Sequence, residues 1–314
     1  MHSMTENAPE SAVSATAGSC GISLALMLVV GVPVFFLLPA ASTSHYFFAA
    51  PYYLLPFVVL ALIALAGERM QKPSITLPAW ASAAVFFCYG CFETLYSWFP
   101  NGAALVPADA PAAAFWRELI SYAGNRSLQL LPIALLALIM ANRLKTGWRH
   151  RLGPGDPSAE TGILGEKQLM SWSKVVVRIF FYFMLVTVGF LVTKGVGGWT
   201  AGHSLAYGAK LAGGAANSLV EELLFRGLLQ PVFELVLPPG PANVLQAIFF
   251  SVIHYGFIES FTFAEIFPEL VKLVIYVGIG LFLGRAARET DGLLIPWLFH
   301  FIITSAIWLT LLAR

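Results

Sequence analysis

The chain has 314 residues, of which 58% are hydrophobic and only 11% charged, with a formal net charge of +1 and a mean hydropathy of +0.76. Soluble domains carry about 25% charged residues, so this composition excludes that class, and the lack of any Lys/Arg run excludes a nucleic-acid-binding surface. Three cysteines, Cys20, Cys88 and Cys91, cannot build a disulfide framework, and the Cys88/Cys91 pair lies in an apolar run that reads as core packing.

Residues 1–20 are rich in Ala, Ser, Thr and Glu and lack Lys and Arg, which predicts a disordered tail. Apolar segments follow at 21–40, 47–66, 77–99, 119–141, 174–194, 206–230, 242–258, 269–287 and 293–312. A helix needs about 20 such residues to cross a bilayer, so the expected fold is all-α and polytopic, with about eight to nine transmembrane helices. Glu93, near a membrane edge beside Tyr96 and Trp98, reads as an interfacial carboxylate. Residues 151–173 begin with two prolines and four glycines within 151–168 and read as a linker. The linker divides an N-terminal four-helix part, 21–150, from a C-terminal bundle, 174–314.

Loop charge gives an expected orientation. The connection after the fourth segment holds Arg143, Lys145, Arg149, Arg151 and Lys167; Arg69 and Lys72 follow the second segment, and Arg285 and Arg288 close the eighth. All three basic loops belong on the cytoplasmic side. Nine spans satisfy that, with the N-terminus cytoplasmic and the C-terminus outside; eight would break the alternation somewhere. The expected location is the inner (plasma) membrane of the cell.

The sixth and seventh segments are interrupted by Asn217, Glu221, Glu222, Arg226, Asn243 and His254. An ionisable side chain at the bilayer centre costs at least about 2.5–3.5 kcal/mol, so it calls for a partner or a purpose. On a helix, Glu222 and Arg226 are i,i+4 neighbours and can pair. Glu221 lies about 100° around the helix from Glu222 and has no cation at i+3 or i+4. Two more segments carry polar groups on one face: Phe250 and His254 in FFSVIHYG, and His300 and Thr304 in LLIPWLFHFIITSAIW. An imidazole in hydrocarbon needs a hydrogen-bond partner, so two histidines and a spare carboxylate on separate helices point to one shared site.

EELLFR, FSVIH and HFIIT occur in the order of EExxxR, FxxxH and HxxxN/D motifs. Together with the approach GRAARETDGLLIPWLFHF, they make residues 205–311 resemble the intramembrane endopeptidases that process CAAX proteins and bacteriocins, relatives of the type II CAAX prenyl endopeptidases. The resemblance implies peptide-bond hydrolysis in the membrane, on a membrane-anchored protein or peptide. Carried over, Glu221 is the general base that activates water, His254 holds and polarises that water, and His300 faces the developing oxyanion. Glu222 and Arg226 form a supporting ion pair, and Phe250 belongs to the second motif. Thr304 stands where the family usually has Asn or Asp, and offers one hydroxyl donor in place of an amide. Asn217, one turn before Glu221, is the alternative source of an amide.

Two His and one Glu also form a zinc set, with Glu221, His254 and His300 as ligands and water in the fourth position. HExxH is absent, and the expectation is a glutamate mechanism without a cofactor. Two other classes fit the intramembrane charges: a non-catalytic scaffold of the same family, for which Thr304 argues, and a proton-coupled transporter. The transporter reading leaves the three ordered motifs unexplained.

Overall fold

A computed structural model of the chain describes residues 49–98, 113–120, 130, 133, 151–162, 169–194, 201–252, 254 and 263–312. The tail 1–20, the span expected at 21–40 and most of that at 119–141 lie outside the described residues, as do the side chains of Glu93, Tyr96 and Trp98. Elsewhere the apolar segments are helices: α1 Ala49–Arg69, α2 Pro73–Trp98, a short α3 Ala113–Glu118, and α4 Trp172–Lys194. The C-terminal bundle adds α5 Ala201–Glu222, α6 Gln230–Glu234, α7 Pro239–Val252, α8 Phe263–Thr290 and α9 Leu294–Leu312. The described residues are therefore mostly helical. Two stretches among them, Trp172–Gly189 and Ile266–Thr290, are long and apolar enough to cross a membrane, and shorter apolar helices run Ile75–Cys88 and Leu294–Leu309. Helix α4 turns Phe181, Tyr182, Leu185 and Val186 outward; an apolar face that large is stable against acyl chains rather than water.

The segment expected as one helix at 206–230 changes geometry within itself. Between α5 and α6, residues Leu223–Leu229 form a π-helix, with the Gln230 N–H reaching back to Phe225 O. The sequence around it, RGLLQP, supplies a reason. Pro231 lacks an N–H, and in α geometry its ring would press on the carbonyl four residues earlier, that of Gly227. Widening the turn relieves that contact, and π-bulges are frequent at functional sites. The bulge falls immediately after Glu221 and Glu222, and it contains Arg226.

Most of the core packs around this segment. Phe225, Leu228, Leu229, Val232 and Phe233 lie against Val85 and Phe86 of α2 and Leu245, Phe249 and Phe250 of α7. Helix α8 packs on α7, and α9 packs on α4 and α5, which places the site-bearing turn at the centre of the bundle. The backbones of α7 and α8 come close at Gly280, where a Cβ would sit 2.8 Å from Ala247 Cα. That proximity lets Gln246 Nε2 donate to Gly280 O at 2.8 Å and Gln230 Nε2 to Gly284 O at 3.1 Å. Close backbone approach and side-chain amides on carbonyls are the main glue between helices when lipid removes the hydrophobic drive. Gly280→Leu is accordingly expected to lower stability by about 1–3 kcal/mol, the usual cost of overpacking, read as an earlier thermal unfolding midpoint in detergent.

Residues 151–173, expected to be a linker, hold structure of their own. Their described residues include a two-residue antiparallel ladder, Glu160–Thr161 with Met170–Ser171, which an all-α reading does not contain. The stretch docks on the α8–α9 turn: Asp156 N–H donates to Thr290 O at 2.6 Å and Leu293 N–H to Gly153 O at 2.9 Å. Gly155 makes this fit possible, with φ of 73° and a virtual Cβ only 2.4 Å from Thr290 O. Arg151 adds ion pairs to Glu234 at 2.5 Å and Asp291 at 3.3 Å. The Ser158 hydroxyl and N–H both donate to Asp156 and hold its carboxyl below the usual range. Trp172 then anchors the start of α4, fully buried against Phe282 and Phe299 with its Nε1 donating to Glu289.

Candidate active site

Three elements bring the polar residues together. Helix α5, continued by the π-helix, presents Asn217, Glu221, Glu222 and Arg226; the turn just beyond α7 presents His254; α9 presents His300. Glu222, Arg226 and Glu221 are all buried, and so is His300. Burial makes each hydrogen bond consequential, because an unpaired ion there costs several kcal/mol.

Glu222 is the hub of the first set. Its Oε1 accepts from Arg226 Nη1 at 2.8 Å and faces His300 Nδ1 at 2.8 Å. The Arg226 guanidinium lies 4.3 Å above the Phe250 ring, and its Nη2 donates to Gly280 O at 3.4 Å. The i,i+4 pair read from the sequence is present, although it spans the start of a π-helix. It has a third member that no local rule reveals, His300 on α9. A carboxylate can only accept, so Nδ1 of His300 is the donor and the ring is oriented with Nε2 away from Glu222.

The second set centres on Glu221. Its Oε1 accepts from Asn217 Nδ2 at 2.9 Å. Its Oε2 lies 3.3 Å from His254 Nε2 and 3.7 Å from His300 Nε2. Asn217, expected as an alternative source of an amide, turns that amide to the carboxylate one turn away. His254 is fixed from behind: Nδ1 lies 2.7 Å from Phe250 O, and the ring stacks on Tyr276 at 4.4 Å and 19°. A carbonyl oxygen also only accepts, so Nδ1 carries a hydrogen. The contact between Nε2 and the carboxylate is then attractive only with a proton between them, on the imidazole or on Glu221. The geometry is that of an imidazole nitrogen facing a carboxylate oxygen 3.3 Å away.

Phe250 explains the spacing of its motif. One helical turn before His254, it supplies the carbonyl that holds the imidazole, a ring 4.5 Å from His254 and 5.5 Å from His300, and the face under Arg226. Thr304 lies one turn beyond His300 on α9, with its hydroxyl 3.5 Å from Ser218 Oγ on α5. The structure thus brings Glu221, Glu222, Arg226, Asn217, His254, Phe250 and His300 into contact, and sets Thr304 at their edge beside Ser218. Tyr276, Gly280 and Ser218 were missed. Tyr276 and Gly280 act by ring stacking and by a backbone carbonyl, neither of which has a sequence signature. Ser218 was visible only as a hydroxyl beside Asn217.

Among the described residues, no group of three or more His, Cys, Asp or Glu has the arrangement of a metal site. Glu221, His254 and His300, the set that zinc would need, contact one another through Glu221 Oε2 in an acid–base geometry.

Residues 202–306 match the family model described as Rce1-like, Type II CAAX prenyl endopeptidase Rce1-like. No curated protein and no solved structure matches the chain. The matched segment contains every residue of both sets, and it leaves α1, α2, α4 and the docked stretch outside it. Residues 202–306 are thus similar to the Rce1-like type II CAAX prenyl endopeptidases, a family of polytopic intramembrane proteases.

Proposed function

We propose that the protein is an intramembrane endopeptidase that hydrolyses a peptide bond of a membrane-anchored protein or peptide, with Glu221 as the general base. The observation that carries this reading is the placement of Glu221 Oε2 against the Nε2 atoms of two histidines, His254 just beyond α7 and His300 on α9. A water beside Glu221 and His254 gives up a proton to the Glu221 carboxylate as its oxygen attacks the scissile carbonyl. The carbonyl oxygen becomes an oxyanion facing His300 Nε2. The Glu222 carboxylate, accepting from Nδ1–H, orients the ring so that Nε2 is the atom turned to that oxyanion. The proton held by Glu221 then passes to the departing amine as the C–N bond breaks, leaving a new carboxylate and a new amine. Every residue in this sequence of steps acts as base, donor or orienter, and none requires a metal.

The nine-span arrangement, the cytoplasmic N-terminus and inner-membrane residence belong to the same proposal. They rest on the basic residues Arg69, Lys72, Arg143, Lys145, Arg149, Arg151, Lys167, Arg285 and Arg288. The division into 21–150, a connection at 151–173 and 174–314 is supported by the docking of that connection at the end of α8. The experiment is incubation of the purified protein, in liposomes, with membrane-anchored peptides, followed by mass spectrometry for new termini. Absence of any Glu221-dependent product removes the reading.

Thr304 is the second donor to the oxyanion in this proposal. Thr304→Val keeps the shape and removes the hydroxyl, and is expected to lower kcat about 10²–10³-fold, the cost of deleting one oxyanion donor. KM is expected to stay within about twofold, because the contact forms only in the transition state. An unchanged kcat would assign Thr304 to packing against Ser218 and favour the non-catalytic reading of that position.

A further inference from the structure

We infer that Asn217 binds the substrate backbone: its Oδ1 accepts a peptide N–H from a residue flanking the scissile bond. The inference rests on the endopeptidase reading and adds a specificity determinant to it. Asn217 is only 8% exposed and sits one turn before Glu221 on the same face of α5. Its amide orientation is set by chemistry. The group on Glu221 Oε1 at 2.9 Å must be a donor, so it is Nδ2, and Oδ1 is turned to the other side. There, Oδ1 is buried and takes no hydrogen bond among the described residues. Buried side-chain acceptors are almost always satisfied, so one left open beside a candidate catalytic carboxylate calls for a donor that arrives with a ligand.

A peptide is such a ligand. The other groups around Glu221 are the imidazoles of His254 and His300, which serve the water and the oxyanion. The Ser218 hydroxyl lies beside Thr304, 3.5 Å away. Acyl chains carry no donor, whereas an extended peptide presents an N–H at every residue except proline. Asn217 therefore holds two things in one plane, the base through Nδ2 and the substrate backbone through Oδ1. Register between the two follows, because moving the peptide by one residue removes the N–H from Oδ1. A second consequence is sequence selectivity: proline, or any N-alkylated residue, is excluded at the position that faces Asn217.

The test is an enzyme–substrate double-substitution cycle. In a cleaved peptide, each backbone N–H near the scissile bond, other than the scissile nitrogen, is replaced in turn by an ester oxygen. Wild-type protein is expected to lose about 10-fold in kcat/KM at one position, the worth of one hydrogen bond to a neutral acceptor, and little at the others. Asn217→Ala is expected to cleave the parent peptide more slowly and to show no further loss with that ester. Asn217→Ser serves the same comparison where the alanine variant does not fold. Equal loss with the ester in wild type and variant, or no ester-sensitive position in wild type, overturns the inference and reduces Asn217 to an orienter of Glu221. Failure of wild type to cleave any peptide removes the endopeptidase reading itself, and the inference falls with it.

Discussion

Glu221→Gln is expected to stop peptide hydrolysis, lowering kcat by about 10²–10⁴-fold, the usual worth of a positioned general base, while the protein stays folded. The two halves of this expectation come from different atoms. On the Asn217 side, the glutamine Oε1 accepts the same hydrogen bond that the carboxylate accepted at 2.9 Å. On the histidine side, the new amide N–H can donate to His254 Nε2 across the same 3.3 Å. His254 keeps its bond to Phe250 O and its stacking on Tyr276. The contacts to Asn217 and His254 thus survive the substitution, and what is lost is the capacity to take a proton from water. The measurements are the rate of new-terminus formation and the thermal unfolding midpoint in detergent, taken on the same preparation. Cleavage at the wild-type rate would sink the mechanism. A loss of rate together with a fall of many degrees in the midpoint would show that Glu221 holds the fold rather than the chemistry. A scaffold would retain its phenotype in this variant, and a proton-coupled transporter would lose uptake with no peptide product in either form.

Sequence reasoning reached this site because lipid makes polar residues conspicuous. Glu221, Glu222, Arg226, His254 and His300 stand out in apolar runs, and the cost of burying each implies that they meet. The same rule applied more widely would have found Gln230 and Gln246, amides in apolar helices that donate to the carbonyls of Gly284 and Gly280. Positions of α1, α2, α4, α7, α8 and α9 were legible to within a few residues from hydropathy. Three things were not legible. The π-helix depends on how Pro231 acts on a turn already committed to helix, and hydropathy has no term for that. The attachment of His300 to Glu222 joins residues 78 apart in sequence, a distance over which no periodicity operates. The docking of Gly153–Asp156 on the α8–α9 turn uses backbone groups, so composition showed only prolines and glycines and suggested a loose connection.

The Glu222–Arg226 pair is expected to carry the second large effect, and its two roles can be separated. Arg226 is fully buried and has Glu222 as its carboxylate partner at 2.8 Å, with no exposure of either side chain. Removing one partner of a buried pair leaves an uncompensated charge and costs about 3–5 kcal/mol. Arg226→Met should therefore lower the unfolding midpoint sharply, and Glu222→Gln should do the same. Combining the two removes both charges at once. Methionine fills much of the guanidinium's volume over Phe250, and replacing a buried pair by apolar groups is often neutral or better. The double variant is accordingly expected to regain most of the stability that either single variant loses. Activity should not return with it. Glutamine at 222 can still accept from His300 Nδ1, but a neutral amide oxygen accepts more weakly than a carboxylate, so the ring is held less firmly with Nε2 toward the oxyanion. A double variant that is stable yet slow identifies Glu222 as the residue that orients His300. A double variant that is both stable and fast would mean that the pair serves only to hold α5 in place, and would leave the oxyanion to Thr304 alone.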